Sequence, residues 1–230
     1  MSDIPKLDVF KKYSQYYTCE VPRPQPSDYL VHLFKGQDGG SFIDIGANDG
    51  ITWSNTLVLE EGYNWTGICI EPHPVVFEKL RKNRRTECLN IGASDQDETL
   101  EFCSIDGYAE MLSGFTKFYC EEHKKRVEEE TKSHDDKVSY LKISSRKLGD
   151  ILREKNVHRV NYLSIDTEGA ELQVLKGAYL EENIFSIISC EDNYGNEDVK
   201  NYLKEFGYSF LAKICGDAFY GHKSCLSTNK

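Results

Sequence analysis

Ser41-Phe-Ile-Asp44-Ile-Gly46-Ala-Asn48-Asp49-Gly50 is the stretch whose reading decides the fold. An apolar run ends in an acid, and a short loop with glycines at 46 and 50 leads into a segment of helical character. Strand, glycine turn and helix in that order open the first βα unit of an α/β sheet onto a ligand. Glycine permits the sharp turn and leaves no side chain between backbone and ligand.

The rest of the loop narrows the ligand. A dinucleotide site needs G-x-G-x-x-G, so that a helix N-terminus receives a pyrophosphate. Here only Ala, Asn and Asp lie between Gly46 and Gly50, and Asp49 falls where phosphates would go, with Asp44 adding a second negative charge. A cationic cofactor suits such a loop better, and S-adenosylmethionine, with its sulfonium and α-ammonium, is the expected one. A plain strand–turn–helix corner without a ligand is the competing interpretation. The second anchor is Gly67-Ile-Cys-Ile-Glu71-Pro72. An acid ending the second strand accepts from both ribose hydroxyls of a bound cofactor, because a carboxylate is acceptor-only and takes two donors at once. Alternatively Glu71 only precedes the helix starting near Pro74, where negative charge is mildly stabilising.

The chain of 230 residues suits one domain, residues 1–230, with residues 1–40 as a helical lead-in. Its formal charge is 28 − 38 = −10, which gives a polyanion nothing to bind, so no nucleic acid partner is expected. No apolar run approaches the ~18–20 residues of a membrane span, and the first residues, Met-Ser-Asp-Ile-Pro-Lys, lack the apolar core of a secretion signal. The eight cysteines include no C-x-x-C, and Cys69 and Cys190 fall inside expected buried strands. They read as reduced packing residues of a cytoplasmic protein.

Along the chain, helical character over residues 5–18 is broken by Pro22-Arg-Pro-Gln-Pro26, and a short helix runs from Tyr29 to Phe34. Strands are expected at 41–45, 66–70, 87–91, 98–104, 137–143, 160–165, 184–190, 207–211 and 217–221. Helices are expected at 53–61, 74–83, 146–155, 169–177 and 196–206. This alternation predicts an α/β fold, a mostly parallel sheet with helices on both faces and an antiparallel edge. Segment 107–136 differs: aromatics and small residues come first, then a charge-rich helix with Glu121/Lys125 and Glu122/Arg126 at i,i+4 spacing. Its aromatic half is a candidate cover for an acceptor site, with core packing as the alternative.

Ligands of open α/β sheets bind at the carboxyl ends of the strands. Those ends carry Asp44, Glu71, Asp95, Asp166 and Glu191-Asp192, and Glu168 is expected three residues before Glu171 on one face of a helix's first turn. So many carboxylates need protons, a metal or a cationic ligand to offset their repulsion. Methyl transfer to an alcohol needs alignment and removal of the hydroxyl proton. Glu168 is the candidate base with Asp166 beside it, and Asp166, Glu191 and Asp192 form a hard-oxygen set suited to Mg²⁺ or Mn²⁺. First-turn charge complementing the helix dipole is the bland account of Glu168 and Glu171. His73, His123, His134 and His222 show no ligand spacing and read as surface or turn residues.

With those residues assembled, the chain resembles the FkbM family of S-adenosylmethionine-dependent methyltransferases. The matching signals are Phe42-Ile-Asp-Ile-Gly-Ala-Asn-Asp-Gly50, Ser54-Asn-Thr56, Ile70-Glu-Pro72, Asn90-Ile-Gly-Ala-Ser-Asp95 and Leu163-Ser-Ile-Asp-Thr-Glu-Gly-Ala-Glu171, with Tyr13-Ser-Gln-Tyr16 as the lead-in. The resemblance implies a Rossmann-like class I methyltransferase fold in which Asp44, Gly46, Asn48, Asp49, Glu71, Ser94 and Asp95 surround the cofactor. It also implies O-methylation of a hydroxyl on a sugar or glycan acceptor. Metal-dependent sugar O-methyltransferases have a similar Asp-x-acid strand end followed by adjacent acids, which is an analogy for the metal set.

Overall fold

Apolar residues on both sides of the strand backbone drive the 41–45 and 160–165 segments into the middle of a sheet, because only a strand covered on both faces hides them all. In the computed structural model, which describes residues 25–195 and 197–226, they become β1 (Ser41–Ile45) and β8 (Arg159–Ile165). The expected helix at 5–18 and the Tyr13–Tyr16 stretch lie outside the described residues. The strands are β1, β2 (Thr66–Ile70), β3 (Glu87–Leu89), β4 (Gly92–Ser94), β5 (Glu98–Asp106), β6 (Gly114–Phe115), β7 (Lys137–Lys147), β8, β9 (Ile184–Glu191), β10 (Tyr208–Ile214) and β11 (Asp217–His222). The helices used below are α1 (Pro26–Leu33), α2 (Leu57–Tyr63), α3 (Pro74–Asn83), α4 (Glu121–His134), α5 (Leu148–Glu154), α6 (Glu171–Gly177) and α7 (Glu197–Glu205).

Seven strands form the main sheet in the order β10-β11-β9-β8-β1-β2-β3. β1 pairs in parallel with β2 (Ile43↔Ile68) and with β8 (Phe42↔Tyr162), while β10 and β11 run antiparallel at one edge. This is the expected Rossmann-like arrangement. Successive strand side chains alternate between faces, and the core divides accordingly. Ile43, Ile45, Leu163 and Ile165 pack with Ile151, Leu152, Val174, Leu175 and Leu203 of α5, α6 and α7. Phe42 and Tyr162 pack on the other side with Leu30 and Val31 of α1 and with Val58, Leu59 and Trp65.

The expected single sheet is in fact two. The segment expected as strand 87–91 stops at Leu89, and β4 joins a smaller sheet of order β4-β7-β5-β6. Its spine is the antiparallel β5–β7 pair, with Glu98 opposite Ser145 and Asp106 opposite Lys137. Exposed and half-buried residues alternate along most of β7, as suits a sheet with one wet face. The 107–136 segment supplies β6 and α4. On α4 the ion pairs are Glu121–Lys124, Lys125–Glu129 and Arg126–Glu130 instead of the two expected.

Two helices begin later than their spacing suggests, and both delays shape the site. Ser54 Oγ accepts from the amides of Thr56 and Leu57, so residues 48–56 stay a loop and α2 starts at Leu57. Glu171 Oε1 accepts from the amides of Thr167 and Gly169 and from the Thr167 hydroxyl. Residues 166–170 therefore remain a loop, and Glu168 is not on a helix, contrary to expectation; its φ is +55°.

Candidate active site

The loop after β1 is held from below by a buried cation that the sequence does not announce. Arg84 has a fully buried side chain that pairs with Glu60 at 2.6 Å, donates to the Thr56 hydroxyl at 2.9 Å and reaches the Gly50 carbonyl at 3.3 Å. Asp44 lies 3.9 Å from it and accepts the Thr56 hydroxyl at 2.5 Å. Gly46 passes so close to β8 that a Cβ would sit 1.7 Å from the Asp166 carbonyl, so no other residue fits.

Above this floor opens a cavity with about 910 Å³ of empty space, part of it open solvent. Asp44, Gly46, Asn48, Glu71, Asp166 and Glu168 line it. Glu71 ties two of the sequence signals together: its carboxylate accepts the Asn48 amide at 2.9 Å and the His73 amide at 2.8 Å. Burial, opposed by those two hydrogen bonds, raises its pKa to about 7.

Three candidate cofactor residues are not at the cavity wall. Asp49 turns its carboxylate back onto the amides of Ile51 and Thr52 and the Thr52 hydroxyl, fastening the loop. Ser94 is fully buried, donates to the Gln96 carbonyl and accepts from Ser145. The Ser94-Asp95 turn packs on Gly177, where a Cβ would lie 2.0 Å from the Ser94 carbonyl, and Ala93 faces the cavity instead.

A second cavity, with about 1070 Å³ of empty space open to solvent, shares Trp53, Asn55, Met111, Asp166 and Glu168 with the first. Asp166, Glu168 and Glu191 each bring one carboxylate oxygen within 4.8 Å of the others. Asp192, expected in that set, is drawn off by Lys213 at 3.0 Å. The Asp217 carboxylate, which no motif marks, joins the wall and accepts from Asn55 at 2.9 Å. Burial first, then the charge of Glu191, pushes Glu168 up to about 9, and burial with the Glu171 charge raises Glu191 to about 7. Asp166 is raised by the same causes, burial foremost.

Two of the histidines expected at the surface are buried. His73 caps α3 and hydrogen-bonds Ser104 at 2.8 Å. His123 of α4 places Nδ1 3.2 Å from Glu168 Oε2 and Nε2 3.2 Å from the Leu112 carbonyl. The amphipathic spacing of α4 hides this inward histidine among charged neighbours, and only the fold brings it to Glu168.

Comparison with known proteins fits this geometry. The family model described as the methyltransferase FkbM domain matches residues 44–210. The chain belongs to the FkbM methyltransferase family. It is 26% identical over 191 residues to Methyltransferase 1 of Beauveria bassiana, covering 75% of this chain and 73% of that protein. It is 28% identical over 155 residues to Methyltransferase sdnD of Sordaria araneosa, covering 59% of each. The FkbM methyltransferase structure from Methylobacillus flagellatus shares the fold at a TM-score of 0.50 and 14% identity, over 93% of this chain and 58% of that one. The FkbM match runs from Asp44 into β10, so it takes in Asp166, Glu168 and Glu191, whereas Asp217 of the second cavity lies beyond it. Among the described residues no helix is long and apolar enough to cross a membrane.

Proposed function

We propose that this FkbM chain transfers the methyl group of S-adenosylmethionine to a hydroxyl of a sugar or glycan. The observation that carries the proposal is the shared wall: the cavity above the β1 loop meets the second cavity at Asp166 and Glu168. Glu71, its two oxygens already fixed by loop amides, keeps lone pairs for the ribose hydroxyls. The acidic wall suits the sulfonium, and the acceptor enters from the second cavity.

Transfer breaks the S–CH₃ bond, forms the O–CH₃ bond and releases the hydroxyl proton, which Glu168 receives. With a pKa of about 9 in the empty site its carboxyl holds a proton at neutral pH. A sulfonium beside it favours the ionised form, so the base is made ready by the donor itself. Alignment of donor and acceptor across the shared wall supplies most of the acceleration, up to about 7–11 kcal/mol in favourable cases.

A divalent ion fits the same cluster. Asp166, Glu168 and Glu191 would hold it, and the buried Glu168 Oε2 has His123 Nδ1 3.2 Å away but no hydrogen bond of good geometry among the described residues. Mg²⁺ or Mn²⁺ there would supply Lewis acidity toward the acceptor hydroxyl. The test is mass-spectrometric detection of labelled methyl transfer to a panel of glycan acceptors, with and without EDTA. Absence of transfer to every hydroxyl acceptor, with S-adenosylhomocysteine still bound, would remove the O-methylation proposal.

A further inference from the structure

The second cavity carries information about its occupant that neither the family nor the cofactor supplies. Its wall holds four carboxylates, Asp166, Glu168, Glu191 and Asp217, and Arg126 is the one basic side chain among the described lining residues. Arg126 is itself paired with Glu130 at 2.8 Å. Glu168, with its side chain nine-tenths buried, sets Oε2 at the junction, with His123 Nδ1 3.2 Å away. The same cavity is lined by Trp53 and Met111, 40% and 42% exposed, whereas Trp65 is 2% exposed.

Trp53 has a left-handed backbone conformation. Its φ is +56°, a region bulky residues rarely adopt, and Glu168 on the same wall has φ +55°. An exposed indole lining the same cavity as four carboxyl groups offers a stacking face beside hydrogen-bond acceptors. A ring with one apolar face and several hydroxyl donors fills both at once. A phosphate or carboxylate on that ring would add an anion beside Asp217 and Glu191, whose own ionisation burial already opposes.

Building on the methyl-transfer proposal, the geometry points to an acceptor ring that stacks on Trp53 and bears no anionic group, being neutral or amine-bearing. Phosphorylated and nucleotide-linked sugars are thereby excluded, and Trp53 is the residue that sets acceptor affinity.

The experiment uses the full chain, labelled S-adenosylmethionine and three matched acceptor sets: neutral glycosides, amino sugars and sugar phosphates. Labelled product is expected from neutral or amino members and at least about tenfold less from phosphates, a ratio equal to about 1.4 kcal/mol. Trp53→Ala is expected to raise the acceptor KM by about tenfold or more with S-adenosylhomocysteine affinity retained, and Trp53→Phe to restore KM to within about threefold. Equal or greater labelling of the phosphates overturns the charge assignment. An unchanged KM in Trp53→Ala overturns the stacking role. No product from any set while S-adenosylhomocysteine still binds overturns the acceptor assignment alone, whereas no binding of S-adenosylhomocysteine overturns the underlying proposal.

Discussion

Glu71→Gln separates the ribose role from simple packing. In the structure each Glu71 oxygen accepts one backbone amide, from Asn48 and from His73. A carboxylate has lone pairs left for two ribose hydroxyls, whereas glutamine offers one acceptor and turns an NH₂ toward a backbone N–H. Hydrogen bonds to a charged group contribute about 1.5–3 kcal/mol each, so losing one of them weakens binding by about 1.5–3 kcal/mol. That corresponds to about 10- to 150-fold in S-adenosylhomocysteine affinity, read by calorimetry at pH 8. The pH dependence sharpens the test. Because the free carboxyl titrates at about 7 and binding requires its ionised form, wild-type affinity should fall by up to about tenfold per unit as pH drops from 7 to 5. The slope should be shallower by about one proton in Glu71→Gln. A variant affinity within about twofold of wild type, with an unchanged pH slope, would refute the reasoning.

Arg84→Met leaves Glu60 and Asp44 buried without their cation, so it should destabilise the fold by about 3–5 kcal/mol in urea unfolding; a loss below about 1 kcal/mol contradicts that account of the floor. Stability of the ligand-free protein should fall as pH rises from about 4.5 through 7. Glu71, Glu191 and Asp217 have folded pKa values raised to about 7, 7 and 6, so their contribution is full below the unfolded values and lost above the folded ones. Glu71 alone accounts for about 3 kcal/mol of that fall, and thermal melts across pH that rise or stay flat would count against it. Glu168→Gln should cut methyl transfer by about 100-fold or more while S-adenosylhomocysteine binding stays within a few fold, and full retained turnover removes Glu168 as the base. EDTA treatment should lower turnover and Mn²⁺ restore it if the Asp166–Glu168–Glu191 set holds an ion; activity indifferent to both removes the ion.

Much of the fold is legible because strand periodicity and glycine spacing are local signals. β1, β2, β8 and β9 follow directly from apolar runs ended by acids, and Pro74 marks the start of α3. The second sheet is not legible, since β4 has only three residues and finds its partner, β7, some fifty residues later. In the site, Asp44, Glu71 and Asp166 reach the cavity because a strand end fixes each position, and Glu168 reaches it on the loop that Glu171 holds after β8. Asp49 and Ser94 do not, because short polar side chains in turns bond their own backbone first. Trp53, His123 and Asp217 come to the site through loop strain, helix facing and an antiparallel edge, and none of these leaves a motif.

A crystal structure of the chain with S-adenosylhomocysteine tests the central claim most directly. The ribose hydroxyls should lie on Glu71 and the sulfur should face the Asp166–Glu168 wall, open to the second cavity beside Trp53. Adenosine bound elsewhere, or a sulfur turned away from that wall, would contradict it.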